Sequence, residues 1–232
     1  MTAPRWLAPA ALIAMGFIVL LIVRGIENRE FSERAELIVE QVDGAPDAVI
    51  FTWRGRVEAP MARALKKAAD TLDPGVTRVV VSLDSPGGAV AEGRAAIDVL
   101  RRIKRTRRLD TIVVGARRCL SMCVPIFLQG QTRAASGRAK FMFHRTIAVN
   151  AVTGERVEKS RFDRDWTSDR LFERYFGAGP VNPEWAARLR EEWRDGDVWR
   201  RGSALYAENS GIVTDVLRTG VSAEAFAARP SP

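Results

Sequence analysis

The feature that most constrains the fold is a short apolar run that stops dead at a glycine turn. Val79-Val80-Val81-Ser82-Leu83 is followed by Asp84-Ser85-Pro86-Gly87-Gly88. A strand apolar on successive positions is buried on both faces, as in a parallel sheet covered by helices. Residues 90–105 then predict a helix, with Val90, Ile97, Leu100 and Lys104 down one side. The unit repeats: a strand is expected over 111–115, a short apolar helix from Ser121 to Leu128 ending near Gly130, and a strand over 140–144. Before them, 48–53 reads as a strand and 59–73 as a helix. After them, helices are expected at 160–176, 184–193 and 203–209, with a last strand at 212–216. Strands alternating with helices argue an α/β domain with a largely parallel sheet.

Trp6 to Val23 carries no charge and is bracketed by Arg5 and Arg24. Eighteen residues at about 1.5 Å each reach about 27 Å, enough to cross a hydrocarbon core with little tilt. No small-x-small cleavage site follows, so an uncleaved single transmembrane helix is expected rather than a signal peptide. Arg5 draws the N-terminus inside, while Arg24, Arg29 and Arg34 pull the other way. The chain thus divides into an anchor (1–26), a charged linker without strand pattern (27–45), a domain (46–220) and a tail (221–232). The net charge of +8 comes from arginines interleaved with acids, and the dense run 101–108 falls at a helix C-terminus, where cations suit the helix dipole. No nucleic-acid partner is expected from such a pattern.

Reactive or anion-holding groups stand at three strand ends, where a parallel sheet builds its sites. Ser85-Pro86-Gly87-Gly88 can expose backbone N–H groups to a ligand oxygen. Ser121 opens a helix, whose dipole favours developing negative charge. His144, the single histidine of the chain, ends a strand. A hydroxyl nucleophile needs a base in reach, a group to orient that base, and donors for the oxyanion. Taken one at a time, an N-cap serine, a Pro-Gly-Gly turn and a structural histidine are the commoner readings; their order and spacing carry the argument.

Val79–Arg145 resembles the core of the proteolytic subunit of Clp protease and its crotonase-fold relatives. The shared features are the strand into Asp-Ser-Pro-Gly-Gly, a helix, and a strand into Gly115-x5-Ser121-Met122. An apolar helix ending in Gly130, Arg133, and a strand ending Phe141-Met142-Phe143-His144 complete them. The likeness spans roughly 48–216. It implies a ββα-repeat fold, with Ser121 as nucleophile, His144 as general base, and the N–H groups of Gly88 and Met122 as oxyanion hole. Asp197, before Val198-Trp199, or its neighbour Asp195, would be the third member of the triad. A serine–lysine site through Lys140 is the second choice, since Lys140 lies on the face of His144 about 13 Å away.

The resemblance further implies a serine endopeptidase that uses no cofactor and acts on peptides or unfolded proteins. Such a protein is expected to self-associate and, behind its anchor, to lie outside the cytoplasm. A non-catalytic scaffold of the same fold is the alternative. An acyl-CoA enzyme fits less well, because it needs no Ser–His pair. Exported relatives suggest a disulfide between Cys119 and Cys123; two buried thiols are the other reading. C-x3-C is not a usual zinc spacing, so no metal is expected.

Overall fold

A computed structural model describes residues 35–145, 157, 161–177, 179–194 and 196–230. In chain order the elements are β1 (Glu36–Val42), β2 (Ala45–Arg54), α1 (Met61–Asp70), β3 (Arg78–Asp84), α2 (Val90–Lys104) and β4 (Arg108–Val113). There follow β5 (Arg118–Leu120), α3 (Cys123–Phe127), β6 (Arg133–Ser136), β7 (Lys140–Phe143) and α4 (Arg161–Phe172), which runs into a π-helical turn at Glu173–Gly177. The chain continues through α5 (Pro183–Glu192), β8 (Val198–Arg201), α6 (Gly202–Ala207), β9 (Asp215–Leu217) and α7 (Ala223–Ala227).

Six strands form the main sheet in the order β1-β2-β3-β4-β6-β9. Only the β1–β2 hairpin is antiparallel; every other pairing is parallel. A second sheet, β5-β7-β8, pairs β5 with β7 in parallel and β7 with β8 antiparallel. The chain therefore deals its strands alternately: β4 and β6 go to the large sheet, β5 and β7 to the small one.

The expectation for β3 follows through to packing. Val79, Val81 and Leu83 enter the larger core, while Val80 faces the smaller one on the opposite side. The larger core holds buried residues of α1, α2 and α3, with Phe127 and Phe141 in edge contact at 5.2 Å. Burying side chains of this size contributes about 1.5–3 kcal/mol each. Helix α5 starts as its sequence dictates: Pro183 sits at its first turn, and the Asn182 side chain accepts from the N–H groups of Glu184 and Trp185.

Two boundaries move. Residues 36–42, read as part of a linker, are the edge strand β1. Its Glu36, Glu40 and Gln41 point to solvent, so it lacks the apolar alternation that marks a buried strand. Residues 223–227, read as tail, form α7, which buries Phe226 in the smaller core. One compact unit begins at Ala35 and takes in the C-terminus. The last strand also falls later than the pattern suggests, at Asp215–Leu217. Among the described residues no helix is long and apolar enough to cross a membrane, and the apolar segment 6–23 lies outside them.

Candidate functional site

Ser121 is the first of the two residues in the step between β5 and α3, and its φ of 52° is left-handed. A residue with a side chain adopts that region only when its surroundings hold it there. They do so through the backbone. Ser121 N–H donates to Met142 C=O at 2.8 Å, and Ser121 C=O accepts from Val124 N–H at 2.9 Å. Leu120 N–H donates to Ser85 C=O at 3.0 Å, and Ser85 N–H to Arg118 C=O at 2.8 Å. The turn is further closed by a disulfide between Cys119 and Cys123, whose Cα atoms stand 5.1 Å apart.

The Pro86-Gly87-Gly88 turn packs directly against this step. The Gly87 N–H donates to Ser85 Oγ at 3.1 Å. A Cβ added at Gly87 would lie 2.6 Å from Leu120 O and 2.7 Å from Ser121 Cβ, and its φ of 84° is left-handed. Gly87→Ala is therefore expected to cost about 1–3 kcal/mol and to displace Ser121. Urea denaturation and the rate of labelling by a serine-directed probe measure the two effects. Gly93 of α2 has a parallel role, since a Cβ there would run into the Met122 side chain.

His144 follows the last residue of β7, and its Nε2 lies 2.7 Å from Ser121 Oγ. The residues singled out for nucleophile and base thus stand within a hydrogen bond of each other. Gly88 and Met122 line the same cavity, and the N–H of neither donates a hydrogen bond among the described residues. The cavity measures about 570 Å³. Its wall is mainly aromatic and aliphatic: Phe143, Phe172, Tyr175, Phe176, Trp193 and Met122. Arg56 is the cation at its edge, exposed and paired with Glu58 at 3.4 Å. Burial pushes the Tyr175 phenol above its usual range against the pull of Arg94, Arg174 and Arg101, and its hydroxyl has no partner among the described residues.

The remaining expectations fare differently. The β7–β8 register pairs Phe143 with Val198, so one further step brings Asp197 level with His144. Asp197 is nevertheless exposed, and no hydrogen bond joins it to His144. Asp195 lies outside the described residues. Lys140 is exposed at the far end of β7, across from Arg118, which does not favour it over His144 as the base. No group of three or more metal-ligating side chains occurs among the described residues.

Sequence reasoning missed the cavity wall. Phe172, Tyr175 and Phe176 recur at helical spacing, which marks a buried face without saying that the face borders a cavity.

Residues 56–169 match the family model for Clp protease. Over that stretch the chain is Clp protease-like. The match takes in the glycine turn, Ser121 and His144, and at the level of the family it makes the domain a Clp-type peptidase domain. No curated protein matches the chain.

Proposed function

We propose that this Clp protease-like protein is a serine endopeptidase held at a membrane by residues 6–23, with its domain outside the cytoplasm. The observation that carries the catalytic part is the 2.7 Å approach of His144 Nε2 to Ser121 Oγ, beside Gly88 and Met122, whose N–H groups have no acceptor among the described residues. In this reading Ser121 Oγ attacks the scissile carbonyl carbon while His144 takes its proton. The carbonyl oxygen becomes an oxyanion held by the Gly88 and Met122 N–H groups. His144 then gives the proton to the leaving amine, and water, deprotonated in turn by His144, hydrolyses the acyl-enzyme. Asp197 or Asp195 would hold the imidazole. The aromatic wall suits a large apolar side chain next to the scissile bond. Anchoring rests on the uncharged run alone, and self-association on the family resemblance. A detergent-solubilised mass above that of one chain would support the latter.

A fluorophosphonate probe tests the proposal. The wild-type protein is expected to label at one serine, and Ser121→Ala to abolish the signal. A folded wild-type protein that does not label would overturn the peptidase reading in favour of a binding scaffold of the same fold.

A further inference from the structure

The small sheet carries a feature that the Ser–His site does not use. Its register sets Arg118 opposite Lys140, and Lys140 opposite Arg201. Residues directly opposite each other share a face, with Cβ atoms about 4.5–5.5 Å apart, and like charges so placed repel. Three cations therefore stand in a row across three strands. Lys140 and Arg201 are exposed, and neither makes an ion pair among the described residues. Arg138, exposed in the turn before β7, adds a further cation. Among the described residues, Asp84 stands beside Arg117, and Glu192 and Glu208 are held by Arg200, whose side chain alternates to the other face of β8.

Two residues along the strands, the same face bears the pair Met142 and Trp199, and Trp199 is 53% exposed. Two residues farther along the chain lies His144. Four residues of extended chain cover about 13 Å. The cationic row is thus a short peptide's reach from Ser121. Among the described residues strand β8 is also the edge of its sheet, paired with β7 alone, which leaves its outer main-chain groups to an approaching chain.

We propose that this face is an exosite for an acidic segment of the substrate protein, bound about four residues from the scissile bond. The proposal rests on the peptidase reading for its orientation toward the site, while its charge argument stands without it. An extended substrate rises by the same step per residue as the strands beside it, so an acidic side chain placed level with the row leaves the residue two positions on level with Trp199. A planar anionic lipid surface would meet the same charges, but nothing in it would match the distance to Ser121.

The experiment separates the two readings. Full-length Ser121→Ala protein in detergent is titrated against a fluorescent peptide carrying an Asp/Glu run beside an apolar residue, and against its Asn/Gln counterpart. The acidic peptide is expected to bind about tenfold more tightly, with the advantage lost in high salt. Lys140→Glu with Arg201→Glu should abolish that advantage, and Lys140→Gln with Arg201→Gln should reduce it; both side chains are exposed, and thermal unfolding checks that the fold is kept. With Ser121 restored, the acidic run should lower KM and leave kcat nearly unchanged. Charge-dependent binding without hydrolysis would keep the exosite and sink the peptidase reading. Equal affinity for the two peptides, or a preference that survives charge reversal, would overturn the exosite. Equal affinity combined with variant-sensitive binding to phosphatidylglycerol vesicles would assign the face to lipid instead.

Discussion

His144→Ala is expected to lower kcat/KM for a peptide substrate by about 10³–10⁴-fold while the protein stays folded. The imidazole contributes to no large core: His144 is half-buried at the end of β7, and the strand before it is held by Phe141 and Phe143, both buried. What the substitution removes is the acceptor 2.7 Å from Ser121 Oγ. Without it the hydroxyl must attack while keeping its proton, and the leaving amine must depart unprotonated. Because Ser121 and His144 act as one unit, the losses should not add. The Ser121→Ala, His144→Ala double variant should be no slower than Ser121→Ala alone. Multiplicative losses would show that the two side chains work independently and would count against the proposed mechanism. Only neutral imidazole accepts a proton, so wild-type activity should fall on the acid side of its profile, and His144→Ala should lack that limb. His144 is the single histidine in the chain, which leaves no second imidazole to confuse the assignment.

What was legible in the sequence follows from how each signal is written. Buried parallel strands are written as contiguous apolar runs, and β3 could be read for that reason. The glycine turn and the Ser121 step could be read because reactive groups at strand ends are sparse and ordered. Edge strands follow no such rule: β1 has charged outer residues because it is an edge, and it looked like linker. The three-residue β5 is too short to show any period, yet it fixes the nucleophile through its pairing with β7. The left-handed φ of Ser121 has no local signature, since the residues that impose it come from Met142, Ser85 and Gly87. The cavity wall was hidden for a related reason, because aromatic spacing reports burial and not what the buried face encloses. The cationic row belongs to the same class. Arg118, Lys140 and Arg201 are far apart in the chain, and only the strand register makes them neighbours.

Asp110→Ala is expected to destabilise the fold by about 3–5 kcal/mol. Arg78 and Asp110 sit at the centre of the main sheet, with side-chain exposures of 5% and 0%. Asp110 Oδ2 accepts from Arg78 and from Arg108 at 2.9 Å each, and its Oδ1 accepts from Thr132 N–H at 3.0 Å. The remaining Arg78 donors reach the carbonyls of Ala227 and Arg229 at 2.9 and 2.6 Å, and its guanidinium lies over the Phe226 ring at 5.2 Å. This one pair therefore ties β3 and β4 to the C-terminal helix α7. Removing the carboxylate alone leaves a buried guanidinium without its counter-charge and orphans the Thr132 N–H. In a domain of this size the loss should lower Tm by about 6–20 °C. Removing both charges has a different sign of argument, because burying an ion pair already costs much of what its attraction returns. Arg78→Met with Asp110→Leu should recover the part of the loss that comes from the buried unpaired guanidinium, while the Thr132 N–H stays without its acceptor. Calorimetry on the two single variants and the double variant measures the coupling. A double variant as unstable as the sum of the singles would mean that packing around α7, and not the charge pair, holds this part of the fold. Serine-probe labelling of the folded fraction should be unchanged throughout, since neither residue borders the cavity beside Ser121.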